Sequence, residues 1–166
     1  MFKDGKAVGS LRNALGIWIC LVGFAWVLQA HELKEALPEL VSEATTIQTT
    51  LAADSIEKVA ELAAGIAQET GSYLNHTTGK EKADYAAIAV AAKGMTGSDL
   101  KTLREQFKPL ALVLSKLVAE NPQTGVGIYY CPMADAYWLQ KTGEVKNPFF
   151  GSKMLACGEP VTRVGE

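Results

Sequence analysis

The chain has 166 residues, 48% hydrophobic and 20% charged, which is the composition of one folded domain with a modest core and excludes a disordered chain. Its formal net charge is −2. Residues 1–30 carry Lys3, Lys6 and Arg12 against Asp4, so the remainder holds 13 basic and 17 acidic residues, a net charge of −4; a mildly acidic body without a basic stripe argues against a nucleic-acid partner.

The N-terminal segment reads as a targeting signal. The three basic residues precede an uncharged apolar run over 14–28, about fifteen residues long, which fits a secretory h-region and falls short of the roughly twenty needed to span a bilayer. Leu28-Gln29-Ala30 matches a small-x-small cleavage site only loosely, because Leu28 is large. Residues 1–30 are therefore expected to be a cleaved signal peptide or an uncleaved N-terminal membrane anchor. Either outcome leaves residues 31–166 as a single periplasmic or extracytoplasmic domain that touches a membrane only through that segment. Cys20 lacks the small preceding residues of a lipid-anchor site. Beyond residue 30 only Cys131 and Cys157 remain, in a compartment where cysteines pair.

Four helices are expected next. Leu33, Leu37, Leu40, Ala44, Ile47 and Leu51 alternate four- and three-residue spacings, which sets one apolar stripe on a helix over 32–52. Pro38 is read as marking its first turn. Asp54 followed by Glu57 resembles a capping box opening a second helix over 54–73, with the stripe Ile56, Val59, Ala63, Ile66 and Ala67. Asn75-His76-Thr77-Thr78-Gly79 is a polar loop, and an Ala-rich helix over 80–93 ends at Gly94-Met95-Thr96-Gly97. Ser98 is the expected cap of a fourth helix over 98–120, whose stripe is Leu100, Leu103, Phe107, Leu110, Leu114 and Leu117 and in which Pro109 is expected to cause a kink. Asn121-Pro122-Gln123-Thr124-Gly125 stops it. Val126-Gly127-Ile128-Tyr129-Tyr130 has the β-branched and aromatic content of a short strand, and a second is expected near 137–141. The short connections imply an all-α fold: a four-helix up-down bundle with a small irregular or β C-terminal cap over 126–159.

Sulfur concentrates in that cap. Tyr130-Cys131-Pro132-Met133-Ala134, then Tyr137-Trp138-Leu139-Gln140, then Asn147-Pro148-Phe149-Phe150-Gly151 and Met154-x-x-Cys157-Gly158, with Phe107-Lys108-Pro109-Leu110 upstream, resemble the bacterial domain-of-unknown-function family 3347. Only Asp135 and Ala136 separate the Cys-Pro-Met-Ala run from Tyr137 here, fewer residues than the family tends to have. The resemblance implies a helical extracytoplasmic domain without an assigned activity. Similar modules lie beside or within heavy-metal efflux adaptors, so a metal-efflux component is the implied partner and copper or silver the implied metal.

The residues themselves allow three chemistries. Cys131 and Met133 at i, i+2 on an extended chain would point the same way, and Met154 and Cys157 at i, i+3 would share a face in a helical turn. Two thiolates and two thioethers make a soft ligand set suited to Cu(I), with Trp138 as a shield from water. Alternatively, Cys131 and Cys157 form a disulfide whose 25-residue loop adds about 3 kcal/mol, with the methionines as core filler. Interchange between these states is the third, although the Cys-x-x-Cys motif of thiol exchange is absent. His76 reads as a solvated loop residue. His31 would become the N-terminus after cleavage at Ala30, where amine and imidazole can bind Cu(II). Asn75-His76-Thr77 fits a glycosylation sequon that matters only in a eukaryotic secretory route. Phe149, Phe150 and Trp138 are expected to cover the end of the bundle. No nucleophile stands beside a base and no phosphate-cradling glycine loop carries its lysine, so a non-enzymatic binding module is expected.

Overall fold

The computed structural model describes residues 33–165. Residues 1–30, expected to be a targeting segment, and His31 lie outside the described residues. Helix α1 (Leu33–Ala52) buries every residue of the expected stripe, from Leu33 to Leu51. Pro38 is not in the first turn; it sits inside the helix on its exposed side, where water can serve the carbonyl that loses its partner.

Helix α2 (Val59–Tyr73) starts five residues later than the capping-box reading requires. Asp54 and Lys58 both take positive φ, 57° and 58°, which breaks the chain direction after α1. The Asp54 carboxylate cannot cap α2 because it is held elsewhere, by Arg104 Nη2 at 2.6 Å and the Ser152 amide at 3.1 Å. Val59, Ala63 and Ile66 are buried as the periodicity predicts, while Ile56 precedes the helix and is exposed.

Helix α3 (Gly79–Lys93) buries only Tyr85, Ile88 and Ala92. Helix α4 (Leu100–Glu120) is capped by Asp99, not Ser98: the Asp99 carboxylate accepts from the Thr102 amide at 3.0 Å, the usual N-cap geometry. The helix continues through Pro109, again on the exposed side. Its stripe of Leu103, Phe107, Leu110, Leu114 and Leu117 is buried.

The all-α expectation is corrected by the tail. Strands β1 (Val126–Cys131), β2 (Ala136–Lys141) and β3 (Glu159–Val161) form an antiparallel sheet in the order β2-β1-β3, so the fold is mixed α/β, with four helices and a three-stranded sheet among the described residues. The sheet is a layer of the core, not a cap on it. β2 lies against α1 and α4, and its consecutive residues Trp138, Leu139 and Gln140 are all buried, which requires cover on both faces. Ile128, Tyr129, Cys131, Trp138, Leu139 and Phe149 join the same apolar cluster as the helix stripes.

β3 was not foreseen. It has three residues with Pro160 in the middle, opposite Tyr129; proline lacks a ladder donor and is tolerated there because β3 is an edge strand. Two buried glutamines close the seam between sheet and helices. Gln48 of α1 donates to the Lys146 carbonyl, and Gln140 accepts from Trp138 Nε1 and the Lys146 amide, each at 3.0 Å.

Candidate cysteine centre

Cys131 is the last residue of β1 and is fully buried, paired in register with Ala136. The chain then turns through Pro132-Met133-Ala134-Asp135, with Asp135 at φ 45° and its amide donating to the Pro132 carbonyl at 3.3 Å. The Asp135 carboxylate also accepts from the Tyr130 hydroxyl at 2.8 Å, which pins the turn to β1.

Cys157 arrives from the other side of the tail. After the 3₁₀ turn η1 (Gly151–Lys153), its amide donates to the Met154 carbonyl at 3.0 Å. The segment is held by Asn147, whose side chain is fully buried. Asn147 Oδ1 accepts from the Phe149 amide at 2.8 Å and the Phe150 amide at 3.3 Å, while Nδ2 donates to the Cys157 carbonyl at 2.6 Å. Its backbone amide donates to the Leu155 carbonyl at 2.8 Å and its carbonyl accepts from Gly151 at 3.1 Å. One side chain and one peptide unit thereby fold residues 147–157 into a closed loop. A buried Asn in a turn is usually read as turn chemistry alone, so this hub carries no separate signal in the sequence.

The result is a close pair: Cys131 Sγ and Cys157 Sγ lie 2.9 Å apart. Trp138 of β2 is fully buried, stacked on Tyr129 at 5.6 Å and edge-on to Phe149 at 6.0 Å. Gly158, with φ 137°, lies against the Trp138 ring where a Cβ would overlap it. Trp138 thus packs on the residue after Cys157, and Phe149 packs on Phe107 at 6.2 Å as cover for the bundle.

The two sulfurs are electrostatically unequal. Burial pushes the Cys131 thiol up, but hydrogen bonds from the Cys157 thiol, the Ala134 and Met133 amides and the Asn147 side chain outweigh it and bring it below the ordinary cysteine value. Cys157 moves the opposite way: its proton is held by Cys131, and burial and the neighbouring negative charge add to this. Such a pair loses its protons in two steps, the first written chiefly at Cys131.

The methionines are placed differently from the cysteines. β1 ends at Cys131, so the two-residue period that would align Met133 with it does not extend into the turn; Met133 is 65% exposed. Met154 is half-buried, after the end of η1. Among the described residues no group of three or more His, Cys, Asp or Glu is assembled for a metal ion. His76 is exposed in the loop between α2 and α3.

A second junction escaped the sequence. Arg104 of α4, only 11% exposed, donates through Nε to the Pro148 carbonyl at 2.7 Å and through Nη2 to the Leu51 carbonyl at 2.7 Å and Asp54 at 2.6 Å. It joins α1, α4 and the Asn147 loop at one point. The Asp54 carboxyl is lowered to about 2 by the Ser152 hydroxyl, Arg104 and the Ser152 amide. Among the described residues no helix is long and apolar enough to cross a membrane. No family model matches the chain, and neither does any curated protein or solved structure.

Proposed function

We propose that this chain is a non-enzymatic, extracytoplasmic binding module whose tail is closed by a disulfide between Cys131 and Cys157. The observation that carries the reading is the 2.9 Å separation of the two sulfurs. A disulfide needs about 2.05 Å, so a shift of under about 1 Å and removal of two hydrogens by an oxidant of the compartment converts the pair. The bond clamps the end of β1 to the loop that Asn147 organises and holds that end of the sheet in a fixed shape. The resemblance to family 3347 implies that this surface serves a metal-efflux component.

Copper(I) held by Cys131, Met133, Met154 and Cys157 is the competing outcome. The exposure of Met133 favours the disulfide, because a ligand that faces solvent has to be recruited by rearranging the turn. The two readings are separated by alkylation of the purified full chain with and without reductant, followed by peptide mapping so that Cys20 is counted apart. The expected result is that Cys131 and Cys157 are alkylated only after reduction, and that reduction lowers the melting temperature. Free thiols at both positions that become protected by one equivalent of Cu(I) would overturn the proposal.

A further inference from the structure

We propose that the Cys131–Cys157 bond is exchangeable with a fixed polarity: a thiol reductant enters at Cys157 and expels Cys131 as the thiolate. The inference rests on the disulfide reading above and adds how that bond is opened and by what class of partner. Three features of the centre set the direction.

The first is access. Cys131 is fully buried at the end of β1, within the cluster that contains Trp138 and Phe149. Cys157 is half-buried and follows exposed Leu155 and Ala156. An attacking thiolate approaches along the S–S axis from the side opposite the leaving sulfur. Attack on Cys157 therefore comes from the side of the exposed turn, whereas attack on Cys131 has to come through the apolar cluster.

The second is the fate of the charge. Thiol exchange is faster when the leaving sulfur is the better anion. The Met133 and Ala134 amides and the Asn147 side chain favour the anion at Cys131 over its thiol. Cys157 is shifted the opposite way, its proton held by Cys131. The third is that the tail does not depend on the sulfur bridge for its path. Asn147 binds the Cys157 carbonyl and the Leu155 carbonyl with the sulfurs 2.9 Å apart and unjoined, so opening the bond does not release the loop.

The step balances as ordinary exchange. The reductant thiolate forms a bond to Cys157 Sγ as the Cys131–Cys157 bond breaks, and the electron pair goes to Cys131. A second thiolate of the reductant then attacks the reductant's own sulfur in the mixed disulfide, and Cys157 Sγ leaves and takes a proton. Two thiols are oxidised to a disulfide and the Cys131–Cys157 disulfide is reduced. The partner class is a dithiol, or two molecules of a monothiol. Exposed Met133 and Leu155, each two positions from one of the cysteines, offer apolar surface for a protein of that class.

The test uses the full chain carrying Cys20→Ser, oxidised and then treated with glutathione at neutral pH, quenched in acid, alkylated with N-ethylmaleimide and mapped by mass. The expected result is glutathione on Cys157 and N-ethylmaleimide on Cys131. Two further variants in the same background, Cys131→Ser and Cys157→Ser, are compared for reaction with a chromogenic aromatic disulfide, and the thiol at 157 is expected to react on the order of tenfold faster or more. Glutathione on Cys131, equal partition, or a bond that glutathione leaves intact in the folded chain but opens in the unfolded one would overturn the polarity while leaving the disulfide standing. Failure to form any Cys131–Cys157 disulfide overturns the disulfide reading itself, and this proposal with it. The mapping on the two-cysteine chain stands alone if either single-cysteine variant does not fold.

Discussion

Gly158→Ala tests whether the cysteine loop is built against the core. Gly158 has φ 137°, and a Cβ there would overlap the Trp138 ring and lie 3.2 Å from its Cζ3 and 3.1 Å from the Tyr130 carbonyl oxygen. Trp138 has no easy retreat: it is fully buried, stacked on Tyr129, edge-on to Phe149 and bonded through Nε1 to Gln140. The backbone strain costs about 1–3 kcal/mol and the overpacking about 1–3 kcal/mol more. Gly143→Ala supplies the control, because Gly143 has φ 151° but no atom within 4 Å of its Cβ position; it carries a comparable backbone strain without the clash. Urea unfolding of both variants under reducing conditions, with the slope checked for constancy, is expected to give Gly158→Ala the larger loss by about 1–3 kcal/mol. At roughly 2–4 °C per kcal/mol for a chain of this size, the melting temperatures separate by several degrees. Equal losses for the two variants, within about 0.5 kcal/mol, would show that the Trp138 contact does not constrain the loop.

Arg104→Met is expected to destabilise the fold by about 2–4 kcal/mol in urea unfolding, because it strands the Leu51 and Pro148 carbonyls together. Arg104→Lys should restore little, since an ammonium cannot reproduce the fork that reaches both carbonyls; full rescue by Lys would refute the fork. Asp54 gives a pH signature. Its carboxyl is lowered from 3.8 to about 2, so its contribution to stability is complete above the unfolded value and is lost as pH falls toward the folded one. The melting-temperature gap between the wild type and Asp54→Asn should be widest above about pH 4 and close toward about pH 2; a gap that does not change with pH would remove the ion pair from the account. Met133→Leu should change stability by under about 0.5 kcal/mol, because the side chain is 65% exposed. Combined with Met154→Leu it should leave disulfide formation unchanged, and a large loss of Cu(I) retention in that double variant would instead favour thioether ligands.

By itself, the sequence determined what depends on local backbone geometry. Helical spacing put Leu33 to Leu51 on one face of α1 and Leu103 to Leu117 on one face of α4, and those faces are buried. β-branched and aromatic runs located β1 and β2 to within one residue at each end. These features are legible because side-chain direction repeats along a helix or strand whatever the rest of the molecule does.

Only the tertiary structure decided which groups meet. Asp54 reads locally as a helix cap, yet Arg104, 50 residues away, takes its carboxylate and moves the start of α2 to Val59. Met133 reads as a companion of Cys131 on an extended strand, yet β1 ends at Cys131 and the turn carries Met133 into solvent. β2 reads as part of a peripheral cap, yet it lies against α1 and α4 with Trp138, Leu139 and Gln140 all buried, in a sheet that makes the fold mixed α/β. The contact between Cys131 and Cys157, 26 residues apart, depends on Asn147 folding the intervening loop back on itself. Partner choice of this kind follows from desolvation and from distances across the chain, and no periodicity encodes it; the sulfur-rich tail could be recognised from its residues, but the approach of its two cysteines is a property of the folded core.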